Sequence, residues 1–125
     1  MLHHVSLGTS DLDRARAFYD PVMLQLGLLR TLDVEDAVGY GAGTTVFSLN
    51  LPVDGQPPSP GNGVHIAFEV EKREAVDMFF RTAIEHGASP DGEPGLRPNY
   101  DRHYYAAFVR DPDGNKIEAL TFAAA

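Results

Sequence analysis

The sequence contains no cysteine among its 125 residues. That excludes disulfides, thiolate metal sites and cysteine nucleophiles, so any metal here needs imidazole, carboxylate or another oxygen ligand. No stretch approaches 18 apolar residues, which excludes a transmembrane helix. Positive charge is scarce: ten Lys+Arg stand against eighteen Asp+Glu, a formal net charge of −8. With no basic run, the chain is a poor match for a phosphate backbone, so no nucleic-acid partner is expected. The chain opens on the alternating segment Leu2-His3-His4-Val5-Ser6-Leu7 rather than on a signal peptide, so a cytoplasmic protein without membrane association is expected.

What is present is organised in two halves. Gly and Pro concentrate in two clusters, seven in 52–63 (PVDGQPPSPGNG) and five in 90–98 (PDGEPGLRP). The first cluster lies near mid-chain and reads as a linker, because Pro removes donors and Gly frees the backbone. On either side the sequence repeats weakly. His4 is followed by Phe18-Tyr19 at +14 and +15, and His65 by Phe79-Phe80 at the same offsets. A glycine then follows at +23 (Gly27) and at +22 (Gly87). The division predicted is one domain built from module one (about 1–52), a linker (53–63) and module two (about 64–125).

Each half opens with strand-like alternation and continues with helical spacing. Leu12, Ala15, Tyr19, Val22 and Leu26 form one stripe; Val76, Phe79, Phe80, Ala83 and Ile84 form the other. Ser10 with Asp13 resembles a capping box. Pro21 lies inside the first helix, where a missing N–H predicts a kink or break. Gly87 suits a helix C′ position. Strands are predicted near 27–33, 37–42, 45–51, 88–91, 104–110 and 115–122. DPDGN (111–115) reads as the turn of a hairpin, with Gly114 or Asn115 at positive φ. Each half is thus strand, helix, three strands. A half of 55–60 residues is too small to be stable alone, so the two must pack together.

Alternation sorts the strand faces. His4, Ser6 and Gly8 share one face of the first strand; His65, Ala67 and Glu69 share the matching face in the second half. Glu118 lies inside the apolar last strand, where a carboxylate is costly unless paired or bound to a cation. Its counterpart in the first half is approximately Ser48. Two imidazoles and one carboxylate suit a divalent transition metal with open coordination positions. The plainer alternatives are structural histidines and a salt bridge from Glu118 to Lys116 or Arg110. His86, at a helix end, reads as structural. The segment Asn99–Tyr105 is rich in aromatics and polar groups and either lines a pocket or is an ordinary surface loop.

The segments LHHVSL, SDLDRARAFY, LGL, GNGVHIAFEV and YYAAFVRDPDGNKIEAL, in that order over nearly the whole chain, resemble the vicinal oxygen chelate superfamily. That superfamily includes glyoxalase I, extradiol dioxygenases, fosfomycin and bleomycin resistance proteins and methylmalonyl-CoA epimerase. The resemblance implies an α+β fold of two tandem βαβββ modules, forming a cupped mixed sheet with helices on the convex side. It implies one divalent ion per chain (Fe, Mn, Ni, Co or Zn) on His4, His65 and Glu118. Glyoxalase I has a further glutamate on the fourth strand, where this chain has Ser48, with Asn50 on the same face and no carboxylate in 45–51. The set is closer to the three-ligand arrangement of the dioxygenases and fosfomycin-resistance enzymes. The leading expectation is a metal-dependent lyase, isomerase or dioxygenase that chelates a small substrate through neighbouring oxygens. Glu118, His103, Tyr104 and Tyr105 are the catalytic candidates, and Ser48, Asn50, Arg97 and Tyr100 are expected in the substrate pocket. The alternative is a metal-free protein that sequesters a small molecule, for which net negative charge favours a cationic or neutral ligand. A homodimer is expected, since one chain alone exposes sheet edges.

Overall fold

The computed structural model describes residues 1–125. Module one runs β1 (Val5–Gly8), α1 (Leu12–Gln25), β2 (Leu29–Val34), β3 (Ala37–Ala42) and β4 (Thr44–Asn50). Module two repeats the order with β5 (His65–Glu69), α2 (Arg73–Glu85), β6 (Ser89–Leu96), β7 (Tyr105–Arg110) and β8 (Lys116–Thr121). Each module closes its own four-stranded mixed sheet, β1-β4-β3-β2 and β5-β8-β7-β6. The opening strand of each module pairs in parallel with the last, and the remaining pairs are antiparallel. β1 and β5 are therefore edge strands, each with one row of backbone groups unpaired.

The internal repeat is a structural one. Ser6 pairs with Ser48 in the first sheet, and Ala67 pairs with Glu118 in the second. Ser48 thus occupies the register position that Glu118 holds in module two. His4 and His65 each lie two residues before the strand residue of that pair.

The two modules share one core. Phe18, Tyr19, Val22 and Met23 of α1 and Val76, Phe79 and Ala83 of α2 are buried in a single cluster with Phe47, Leu49, Ile117 and Ala119. The Phe47 and Phe68 rings meet edge-on across the module boundary at 5.3 Å. Full burial of a ring such as Phe47 contributes about 1.5–3 kcal/mol relative to exposure.

Three local expectations are corrected. α1 runs unbroken through Pro21. Val22 and Met23, fully buried, anchor the turn after the proline, so packing outweighs the lost hydrogen bond. The cap of α1 is Asp11, whose side chain accepts from the Arg14 N–H, and not Ser10. Ser10 is instead drawn to Asp113, to which its N–H and hydroxyl both donate at 3.0 Å. Third, β6 reaches Leu96 rather than ending near 91, carried past its glycines by two register shifts against β7.

The DPDGN turn joins β7 to β8, with Gly114 at φ 90°. It also fastens the modules together. Buried Asp111 accepts from the Tyr19 hydroxyl at 2.5 Å, from Asn115 N–H at 2.8 Å and from Asn115 Nδ2 at 3.0 Å. Asn115 Nδ2 also donates to the Gly8 carbonyl at the end of β1 (3.0 Å). Asp113 accepts from Thr9 Oγ1 (2.6 Å) and pairs with Arg14 (2.7 Å). Burial, reinforced by Asp111, raises the Tyr19 phenol well above its ordinary pKa. This cluster fixes the start of β8, the strand that carries Lys116 and Glu118.

Candidate metal centre

Alternation along β5, β7 and β8 puts His65, Tyr104, Phe108, Lys116 and Glu118 on the face of the second sheet opposite α2. There they border an open cleft of about 510 Å³, completed by Asp91, Gly92, Arg97 and Tyr100. Glu118 sits at its base with only 2% of its surface exposed. Its Oε1 lies 3.0 Å from His65 Nε2, and its Oε2 accepts from the Tyr104 hydroxyl at 2.5 Å. Burying a carboxylate is costly unless its oxygens are hydrogen-bonded, and both of these are. Burial, together with the bond to Glu118, holds the Tyr104 phenol above its ordinary pKa, so it stays a hydrogen-bond donor.

His65 and Glu118 are of the donor types that divalent ions accept. Their 3.0 Å separation, His65 Nε2 to Glu118 Oε1, is that of a direct hydrogen bond. Tyr104 occupies the other carboxylate oxygen, leaving Oε1 to His65. Nowhere does the single chain gather three His, Cys, Asp or Glu side chains around one point. His4 stands apart from the cleft, exposed, its Nδ1 2.8 Å from that of His3.

The other sequence candidates divide between faces. Arg97 and Tyr100 line the cleft with Tyr104. Tyr105, one residue on, points to the opposite face and donates to Asp77 of α2 at 2.6 Å. His103 lies outside the cleft lining, its Nε2 accepting from Arg102 Nε at 3.1 Å. Ser48 and Asn50 lie on the first sheet, where Ser48 Oγ bridges Ser6 Oγ and Asn50 Oδ1, both at 2.8 Å. Glu118 makes no salt bridge to Lys116 or Arg110; both cations turn to Asp91 instead. His86 binds the Thr82 carbonyl at the end of α2 (2.8 Å), a structural contact.

Asp91, Gly92, Phe108 and Lys116 belong to the cleft; the sequence offers Lys116 only as an ion-pair partner for Glu118 and does not single out the other three. Sequence signals exist for Lys116 and Phe108. Lys116 is two residues from Glu118, hence on the same face, and a hairpin centred on DPDGN sets Phe108 opposite Glu118.

Comparison with known proteins agrees with this architecture. The family described as "Glyoxalase/Bleomycin resistance protein/Dioxygenase superfamily" matches residues 1–119. A metallothiol transferase FosB from Shouchella clausii (strain KSM-K16) is 29% identical over 121 residues, covering 96% of this chain and 79% of the relative. Among solved structures, a glyoxalase/bleomycin resistance protein from Albidiferax ferrireducens T118 is 34% identical with a TM-score of 0.88, covering 94% of this chain and 96% of that one. A lactoylglutathione lyase from Agrobacterium tumefaciens shares the fold at 23% identity and a TM-score of 0.67, over 97% of this chain and 92% of that one. The chain belongs to the glyoxalase/bleomycin resistance protein/dioxygenase superfamily.

Proposed function

We propose that the protein is a divalent-metal-dependent enzyme whose centre is shared between two copies of the chain. His65 and Glu118 of one copy and His4 of the other supply the ligands. The observation that carries this reading is the half-site: a buried carboxylate beside an imidazole at 3.0 Å, with no third ligand in its own chain. His4 holds the matching position in module one and lies just before β1, while His65 opens β5. Both strands have a free edge, so a two-fold arrangement that sets β1 of one copy against β5 of the other brings the two histidines together. Exposed apolar side chains near those edges, Leu2 (77%), Val46 (41%) and Val64 (46%), support such a contact.

A bound ion would act as a Lewis acid on two neighbouring oxygens of a small substrate. The protein's own groups do the rest. Glu118 is held to one coordinating oxygen by Tyr104. Tyr104, facing the cleft beside Glu118, keeps its one O–H proton on Glu118 Oε2 and so acts by orienting that carboxylate. The Phe108 ring gives the pocket an apolar wall. Ser48 and Asn50, on the concave face of module one, would line the partner half of the same cup. Ser48, in place of a fourth acidic ligand, removes the carboxylate pair of a true glyoxalase I, and we therefore do not assign that activity.

The test is reconstitution of metal-stripped protein with Mn, Fe, Co, Ni or Zn. One ion per chain should bind, and His65→Ala, Glu118→Ala and His4→Ala should each abolish it. Light scattering should give twice the 13.6 kDa chain mass. A protein that takes up no metal yet binds a small molecule would replace this reading with a sequestering function.

A further inference from the structure

The junction between the modules holds a reactive pair of residues that the cleft does not use. A backbone N–H that follows an asparagine or aspartate can close a five-membered ring on that side chain. It must be free of other bonds, and the residue that carries it must have no Cβ in the way. The chain holds four such Asx-Gly pairs: Asp54-Gly55, Asn62-Gly63, Asp91-Gly92 and Asp113-Gly114. Three are closed to the reaction by the fold. The Gly55 N–H donates to the Pro52 carbonyl at 3.0 Å, and Asp54 itself accepts from the Gln56 N–H. The Gly114 N–H donates to the Asp111 carbonyl at 2.8 Å, while Asp113 is held by Thr9, Ser10 and Arg14. Gly92 is paired with Phe108 in the β6–β7 ladder, and Asp91 is held by Arg110.

Asn62-Gly63 is open. Both residues are exposed, between the linker prolines and the start of β5 at His65. The hydrogen bonds of the linker end at Gly61, whose N–H donates to Ser59, and resume at His65. The Gly63 N–H donates to no other backbone group. Gly63 sits at φ 92° with nothing within 4 Å of where a Cβ would stand, so the approach to its nitrogen is unobstructed. The other asparagines lack these conditions. The N–H of Leu51, after Asn50, donates to the Asp36 carbonyl at 2.9 Å, and that of Tyr100, after Asn99, to the Arg97 carbonyl at 3.0 Å. Asn115 is 2% exposed, its amide bound to Gly8 and Asp111.

We propose that Asn62 is a self-modifying position, a site of deamidation through a succinimide. The Gly63 nitrogen gives its proton to hydroxide or water and bonds to Asn62 Cγ. The Cγ–Nδ2 bond breaks, and Nδ2 takes up a proton and leaves as ammonia. Water then opens the ring, and no electrons are gained or lost. Opening at Cγ leaves an aspartyl residue on the ordinary main chain. Opening at the main-chain carbonyl leaves an isoaspartyl residue, with the chain running through Cγ and one methylene longer. Either product adds one negative charge to the −8 of the chain, three residues before His65. The partner that fits the second product is a carboxyl methyltransferase that reads an exposed isoaspartyl α-carboxylate. The inference stands apart from the metal reading, since neither Asn62 nor Gly63 borders the cleft.

The experiment incubates the whole protein at neutral and at mildly alkaline pH and follows every Asn- and Asp-containing peptide by mass spectrometry. Isoaspartate is labelled with a carboxyl methyltransferase and a radioactive methyl donor. The peptide holding Asn62 should gain about 1 Da and the methyl label, faster at the higher pH. Its rate should exceed those of Asn50, Asn99 and Asn115 about tenfold or more. Asn62→Gln, which would need a six-membered ring, should lose the label, and Gly63→Ala should slow it. Because alanine at φ 92° strains the turn, Asn62→Gln is the deciding variant. Urea-unfolded protein is the control for the fold: isoaspartate should then arise also at Asp54, Asp91 and Asp113, which stay unlabelled in the native protein. An Asn62 that stays intact, native aspartates that label as fast as Asn62, or a pattern unchanged by unfolding would overturn the proposal.

Discussion

Tyr104→Phe removes one oxygen atom and keeps the ring. That hydroxyl donates to Glu118 Oε2 at 2.5 Å, and Glu118 is 2% exposed, so no water can replace the lost donor without a rearrangement. A hydrogen bond to a charged acceptor contributes about 1.5–3 kcal/mol, and the metal-free variant should lose roughly that much stability in urea unfolding. The effect on metal affinity follows from the same contact. With Oε2 unheld, Glu118 is no longer fixed with Oε1 toward His65, and loss of such an orienting partner costs about 10- to 100-fold in affinity, or about 1.4–2.8 kcal/mol. Chelator-competition titration measures this directly. Tyr105→Phe is the control. It too removes a hydroxyl bonded to a carboxylate, Asp77 at 2.6 Å, but on the opposite sheet face. It should lower stability and leave metal affinity unchanged. A Tyr104→Phe protein that binds metal as tightly as the parent, or a Tyr105→Phe protein that loses as much, would refute the assignment of Tyr104 as the residue that orients Glu118.

Asp111→Ala should destabilise the protein by about 3 kcal/mol or more, since it strips the acceptor from buried Tyr19 and from both N–H groups of Asn115. Denaturant unfolding at neutral pH measures the loss, and Asp111→Asn, which keeps one acceptor oxygen, should lose less. Burial first, then a carboxylate partner, raises the phenols of Tyr19 and Tyr40. The folded state therefore holds these protons where the unfolded state, near its ordinary pKa of about 10, releases them. Their contribution is complete below about pH 10 and is lost as pH rises through the folded pKa. The melting temperature should be nearly flat from about pH 7 to 9 and fall above about 10, with a shallower fall in Tyr40→Phe. A melting temperature that rises through that alkaline range would contradict the sign.

The fold was readable because its signals are local and repeated. His4 and His65, the aromatic pairs and the glycines after each helix recur at nearly constant offsets, and a two-residue period places side chains on faces without knowledge of their neighbours. Glu118 stood out as a charge in an apolar strand. What escaped depends on contacts between distant segments. Whether Tyr104 or Tyr105 faces the cleft is decided by the register of β7 against β8, in which Tyr105 pairs with Thr121. The role of Asp111 and Asp113 as a fastening between modules comes from partners about a hundred residues away in module one. At Pro21 local propensity predicts a break, whereas burial of Val22 and Met23 keeps the helix continuous. Ser48 was matched to Glu118 across an offset of 70 residues, and the strand pairing gives the same correspondence.

The shared centre is tested most directly by mixing two inactive chains. His4→Ala keeps His65 and Glu118; His65→Ala keeps His4. Each alone should bind no metal. After the two are unfolded together and refolded in equal amounts, about half of the dimers are mixed and each mixed dimer has one complete site, so about a quarter of all sites should return. Recovery near that fraction is the result predicted here. No recovery from a mixture shown to contain mixed dimers would contradict a centre built across two chains.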